Sequence, residues 1–425
     1  MLNQAIVTFS ASPSPRRRIV IISQVYVPDP AAVGQHMASA AEALDKRGAD
    51  VVVLTADRGY DDPSVRYASR ETRSGVDVRR LPFSSLGKRS LPVRLAGMLS
   101  FLAQAVVRAL FMQRVDALVV STSPPMAGVL ISLVGRLRRI PVAFWAMDLN
   151  PEQAVALGKA RAGGLAARAF ALSNQFLQAN VARVVVLDRF MAAKLQARGP
   201  HRPPTLVIPP WPLEGDRIGA GDGSAFRREH GLEGKFVVMH SGNHSIAHPL
   251  ATVLAAAERL RGDARIGFVF VGGGVGKREV EDAVRAGANN VIALPYQPLE
   301  VLGEVLAAAD VHLVAMGDAM VGCVHPCKVY GALAACRPIL YLGPAESHVG
   351  EITARGAGWR IQHGDTEGAV ATLREIVARP SAELSGIGER NRLMVETDFN
   401  AERLRAEFCA FVESMMAERS GQAGP

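Results

Sequence analysis

Apolar runs rich in β-branched residues, each followed by a helical stretch, constrain this chain more than any other feature. The first run is Arg18-Ile19-Val20-Ile21-Ile22-Ser23. Others follow at 50–55, 76–81, 117–122, 141–146, 183–187 and 205–209. Helices are expected over about 35–47, 92–113, 126–138, 163–181 and 189–198. Continuous apolar strands, unlike alternating ones, must be covered on both faces, so a parallel sheet between two helical layers is predicted. The alternation stops at Pro209-Pro210-Trp211-Pro212, and the next twenty or so residues, rich in Gly, Asp and Pro, read as a linker. It then restarts, with strands at 235–240, 266–271, 290–293, 311–314, 339–342 and 359–362 and helices at about 249–261, 277–285, 298–308 and 326–336.

The expected fold class is therefore α/β, with two doubly wound domains over 18–210 and 211–399 and residues 1–17 as a disordered leader. A chain of 425 residues exceeds one ordinary core and supports this division. Ligands of such sheets gather beyond the carboxyl ends of the strands, so the cleft between the domains is the expected site.

Charge divides the chain at the same place. Residues 1–210 hold 27 Lys/Arg against 13 Asp/Glu, and residues 211–425 hold 21 against 27. A basic half suits an anionic partner. Between 78 and 115 there are seven basic residues and no acid, including Lys88, Arg89 and Arg94 around the apolar LAGMLSFLAQAVV. Basic residues flanking an apolar helix suit an anionic membrane surface, and a core helix with solvated ends has the same pattern. Aromatic residues make up 6% and no groove-reading or base-stacking motif appears, so no nucleic-acid partner is expected. No uninterrupted apolar run of about 20 residues occurs, so no spanning helix is expected. The four cysteines do not make a disulfide framework in so long a chain and suit a reducing cytoplasm.

Strand ends carry the candidate chemistry. Val33-Gly34-Gln35-His36 follows the first strand, with Gly34 placed for close backbone approach. Ala146-Met147-Asp148-Leu149-Asn150-Pro151-Glu152 ends an interior strand and sets Asp148 and Glu152 at the cleft, although Asp148 or Asn150 equally suits a helix cap. Ser241-Gly242-Asn243-His244 occupies the matching turn of the second half. Phe268-Val269-Phe270-Val271-Gly272-Gly273-Gly274-Val275-Gly276-Lys277 fails both the Walker and the dinucleotide spacing. It retains glycines before a helix start and the charge of Lys277, which suit an anion or an ordinary turn.

The stretch GCVHPCKVYGALAACRP, residues 322–338, holds three of the cysteines. With a helix over 326–336, Cys327 and Cys336 stand about 13 Å apart at roughly 1.5 Å per residue, too far to share a zinc or a disulfide. Cys323, His325 and Cys327 alone make a poor metal corner, and no metal site is predicted. What remains is a loop and helix start, Gly322, Pro326 and Lys328 among them, suited to a phosphate.

In order and spacing, QVYVPDPAAVGQH, SGNHSIAH, FVFVGGGVGK, VIALPYQP and HPCKVYGALAACRPILYLGP resemble glycosyltransferase family 4, the group 1 glycosyltransferases of GT-B fold. Within that family they are most similar to the enzymes of bacterial capsule, colanic acid and O-antigen assembly. The resemblance covers residues 18–418. It implies two Rossmann-like domains facing a central cleft, the acceptor in the first and a nucleotide sugar in the second, with a last helix (400–425) crossing back to the first. It implies retention of anomeric configuration and no metal or other cofactor. Gly242, Asn243 and His244 would lie at the donor turn, Lys277 near the diphosphate, and Tyr296 and Gln297 near the base. Gly322, Cys323, His325, Pro326 and Lys328 would hold phosphate and sugar. Asp148 and Lys328 are the expected catalytic residues, with Gly34, His36 and Glu152 on the acceptor side. The family commonly carries two glutamates where this chain has Cys323 and Gly331, and an arginine where it has Ile246.

The expected protein is thus a glycosyltransferase using a UDP-, GDP- or dTDP-sugar. It would act on a lipid-linked or other glycan acceptor at the cytoplasmic face of a bacterial membrane. A catalytically inactive scaffold and a sugar-nucleotide epimerase of the same fold are the alternatives.

Overall fold

The structure is a computed structural model and describes residues 16–59, 62–87, 90–159, 161, 163–213 and 222–422. Of the expected leader, all but Arg16 and Arg17 lie outside the described residues. Eight strands form the first sheet: β1 (Arg18–Ile22), β2 (Asp50–Ala56), β3 (Arg70–Arg73), β4 (Val76–Leu81), β5 (Ala117–Ser121), β6 (Val142–Ala146), β7 (Arg183–Val186) and β8 (Thr205–Val207). Six form the second: β9 (Phe236–Ser241), β10 (Ile266–Val271), β11 (Val291–Leu294), β12 (Val311–Ala315), β13 (Ile339–Leu342) and β14 (Gly358–Ile361).

The sheet orders are β3-β4-β2-β1-β5-β6-β7-β8 and β11-β10-β9-β12-β13-β14. In each, the first strand lies inside the sheet and the chain winds outward to both sides. Every pairing is parallel except β3 with β4. Strands β1, β5 and β6 are apolar on both faces because helices cover both. The sequence reading missed β3. Its residues, Arg-Glu-Thr-Arg, are polar and mostly exposed, as a charged edge strand should be.

Three further expectations need correction. The stretch after Pro212 is not all linker, because Ser224–Glu229 is a helix; residues 214–221 lie outside the described residues. The helix expected over 326–336 spans only Lys328–Ala334. And one helix among the described residues, within Leu91–Phe111, is long and apolar enough to cross a membrane by length and composition. Its Phe101, Leu102, Ala105 and Ala109 nevertheless pack into the core of the first domain.

The last helix, Ala401–Gln422, returns to the first domain. Phe408, Cys409, Val412 and Met415 enter that core, and the Phe408 ring lies 4.5 Å from Trp145. Arg47 closes the contact with two bonds to Glu413, at 2.9 and 2.7 Å. The carboxyl ends of the two sheets meet across a seam. After β6, the Leu149 amide donates to the Cys323 carbonyl at 2.8 Å. After β7, Asp188 meets His325.

Candidate active site

On the second domain, the loops after β9 and β10 lock together. A side chain at Gly272, which has φ +131°, would collide with the Gly242 carbonyl. The His244 amide donates to Gly273 O, and the Gly276 amide to His244 O, each at 2.7 Å. These glycines therefore serve loop-on-loop packing. Lys277 joins them, its ammonium donating to the Gly272 and Leu294 carbonyls at 2.7 Å each. Most of its donor capacity is spent on closing the ends of β10 and β11. Tyr296 packs its ring edge against Gly273, and Gln297 bonds back to the Pro295 carbonyl at 3.2 Å.

Four bases crowd the turn after β9. The Lys328 ammonium sits 2.7 Å from His240 Nε2 and 3.2 Å from the Asn243 carbonyl. The rings of His240 and His244 are 4.8 Å apart. His240 Nδ1 and His248 Nδ1 bond to the carbonyls of Leu313 and Ala315 at 3.2 and 2.8 Å, which leaves both rings neutral donors. Burial first, and then the charge of Lys328, hold His240 well below the usual histidine range. The same causes bring His244 down to about 4 and His248 to about 3. Burial brings Lys328 down to about 7. His244 is fully buried and neither ring nitrogen reaches a partner in hydrogen-bonding geometry.

The loop at 322–327 is built into the seam. A side chain at Gly322, φ +68°, would come 2.6 Å from the Phe190 carbonyl of the first domain. Cys323 is buried, with its sulfur 3.2 Å from Lys194 Nζ. His325 Nδ1 donates to Asp188 Oδ2 at 2.8 Å, and its Nε2 accepts from the Tyr330 hydroxyl at 2.7 Å. That hydroxyl also bonds to His348 Nε2 at 3.0 Å, which continues the chain. Pro326 is buried ahead of the short helix, and Gly331 is buried in its middle. The amides of Cys327, Val329 and Tyr330 already donate to the carbonyls of His325, Pro326 and Cys327. This corrects the picture of a helix start rich in free N–H groups, and the positive charge on offer is that of Lys328. Burial pushes the Cys327 thiol up to about 12.

On the first domain, Asp148 follows β6 and lines a shallow cleft with Thr122, Met126, Phe144, Phe170 and Arg198. Burial raises its carboxyl to about 6. Asp148 makes no cap: the following helix, Glu152–Ala156, has no side-chain cap. Glu152 forms two bonds to Arg198, at 2.8 and 2.7 Å. Burial opposes its charge, but the guanidinium outweighs this and holds its carboxyl below the usual range. A side chain at Gly34 would come 3.0 Å from the Tyr26 backbone. His36 is buried edge-on to Trp211, ring centres 5.6 Å apart. Both are buried, and His325 of the second domain acts on the His36 ring from across the seam.

The sequence reading missed His240, Asp188, Lys194, Arg198 and Tyr330. Asp188 stands directly after a strand, as Asp148 does, and that signal was available. The others are distinguished only by the contacts that folding makes.

Of the basic residues expected at a membrane, Lys88 and Arg89 lie outside the described residues, and Arg94 is exposed. The Leu91–Phe111 helix that carries Arg94 also exposes apolar side chains along its length: Leu99 is 61% and Phe111 74% exposed. Leu137 on Ala127–Arg138 and Leu165 and Leu172 on Leu165–Asn180 extend this exposed apolar set across two helices packed in series beside the first. Arg108, Arg136, Arg139 and Arg168 stand exposed on the same helices.

Two parallel sheets facing through their carboxyl ends, bases on one side of the seam and a carboxylate cleft on the other, define a two-domain group-transfer enzyme of GT-B architecture. Residues 31–211 match the family model described as a glycosyl transferase 4-like domain. Over 381 residues the chain is 25% identical to WcaI of Escherichia coli K12, named as a colanic acid biosynthesis glycosyl transferase, covering 85% of this chain and 93% of that one. Among solved structures, sucrose-phosphate synthase of Thermosynechococcus elongatus superposes with a TM-score of 0.72 at 17% identity, covering 95% of this chain and all (100%) of the other. Anabaena HepE, solved with UDP and glucose, superposes with a TM-score of 0.70 at 14% identity, covering 94% and 100%. The protein is a glycosyltransferase of GT-B fold, similar to the family 4 enzymes, and its amino-terminal domain is of the glycosyl transferase 4-like kind.

Proposed function

We propose that the protein is a retaining glycosyltransferase of bacterial surface polysaccharide assembly. It moves a sugar from a UDP-, GDP- or dTDP-sugar to a lipid-linked or membrane-presented glycan, as a peripheral protein on the cytoplasmic face of the plasma membrane. The observation that carries this reading is Lys328 at the turn after β9, 3.2 Å from the Asn243 carbonyl, with Asp148 acting on its neighbour Cys327 from the other domain. Lys328, beside the donor turn, takes up the charge that develops on the departing diphosphate, and a well-placed donor of this kind contributes about 3 kcal/mol. The reading needs no metal for that task. Asp148, ionised above about pH 6, accepts a hydrogen bond from the acceptor hydroxyl and orients it.

Two further points support the reading. HepE was solved with UDP, and WcaI is named for colanic acid synthesis. The exposed leucines, Phe111 and arginines form the mixed apolar and cationic surface that an anionic bilayer attracts. The test is nucleoside diphosphate release from a panel of UDP-, GDP- and dTDP-sugars, with and without bacterial lipid extract. Lipid-stimulated release from one nucleotide class is expected. Absence of binding and release for every donor at millimolar concentration refutes the proposal.

A further inference from the structure

The donor turn holds an unusual set of groups. His240, His244 and His248 come from β9 and its turn, and Lys328 from the short helix behind it. Lys277 faces His244 from the loop after β10, Cys327 neighbours Lys328, and Asp148 acts on Cys327 from across the seam. Lys328 depresses the three histidines, burial depresses Lys328 itself, and each group lies partly or wholly out of water. Ile246, exposed beside the turn, adds no charge to the cluster. Such a cluster costs free energy to charge while it is empty, because both burial and like charges oppose protonation.

An anion reverses both effects. Gly242, Asn243 and Lys328 form the accessible edge of the cluster, while His240 and His244 lie behind it. His244 is a fully buried ring whose nitrogens make no well-formed hydrogen bond. The Gly242 and Gly273 carbonyls lie near enough to favour its charged form. We propose that the cationic charge of this donor site is assembled on binding. A nucleotide diphosphate seated against Gly242, Asn243 and Lys328 draws a proton from solvent onto the Lys328–histidine cluster. Donor affinity therefore rises as pH falls. The proposal rests on the nucleotide-sugar reading above and adds to it how the site acquires its charge when a diphosphate binds. Lys328 takes the proton at the alkaline end, and the histidines contribute at the acid end.

The test is titration calorimetry with UDP-glucose, GDP-mannose and dTDP-glucose between about pH 6 and about pH 8, in two buffers of different ionisation enthalpy. These diphosphate diesters keep a constant charge over that range, so exchanged protons belong to the protein. Uptake approaching one proton is expected near pH 8, with about a tenfold gain in affinity per pH unit at that end. Lys328→Arg, which cannot titrate, should abolish the uptake near pH 8, and His244→Asn should reduce what remains near pH 6. The wild-type proton count decides the matter even where a variant fails to fold. Binding with no proton exchange and a flat pH profile overturns the proposal and leaves the donor reading intact. Failure of all three probes to bind at any pH overturns both.

Discussion

Asp148 and Glu152 stand four positions apart in sequence, yet their surroundings give them opposite characters. Asp148 has burial and no cation, so its carboxyl rises to about 6; Glu152 has Arg198 and stays ionised. If Asp148 orients the acceptor, transfer should fall off on the acid side of about pH 6 as the carboxylate takes a proton. A kcat/KM profile that stays flat down to pH values well below this would remove Asp148 from that role. Glu152 makes a stability prediction instead. The Arg198 side chain is only 7% exposed, so Glu152→Gln leaves a buried cation with the Asn150 carbonyl as its remaining partner. A loss of about 3 kcal/mol is expected in urea unfolding at neutral pH. The sign with pH follows from the depressed carboxyl. The stabilisation is complete above the unfolded value near 4.3 and is lost as pH falls through the lower folded value. The difference between wild type and variant should therefore shrink in acid.

Among elements, the Leu91–Phe111 helix shows most plainly what a sequence can and cannot say. Its apolar centre and basic flanks fit a buried helix and a membrane-facing one equally. The fold separates its faces, with Phe101 and Ala105 inward and Leu99 and Phe111 outward. Leu99→Ser with Phe111→Ser should release the protein from anionic vesicles in flotation without lowering its melting temperature. Unchanged flotation would count against the membrane surface. The strands of both sheets were legible because a strand buried on both faces is written as an unbroken apolar run. The charged edge strand β3 was not, because nothing in Arg70–Arg73 asks to be buried. The donor glycines were legible as turns, but their purpose was not. Whether a glycine admits a ligand or a neighbouring loop depends on what folding brings beside it, and for Gly272 that is Gly242. The contact between Lys194 and Cys323 was likewise beyond reach, since it joins residues 129 positions apart across the seam.

At the scale of the whole molecule, several contacts at the seam and the last helix hold the domains together. The Asp188–His325–Tyr330–His348 chain ties them at the seam, and the last helix ties the chain's end to the first domain. Phe408, packed on Trp145 and Trp211, is the centre of that second tie. Phe408→Ala should cost about 3–5 kcal/mol, read as a lowered urea midpoint. An unchanged midpoint would mean that the helix is not part of the first core. With the domains so held, Lys328 keeps its place beside the donor turn, and sugar transfer is expected to depend on it. The most direct test is nucleoside diphosphate release from the preferred nucleotide sugar, with acceptor lipid, by wild type and Lys328→Ala at equal folded concentration. The account predicts release by the wild type and a fall of about 100-fold or more in the variant. Release at the same rate by both proteins would contradict it.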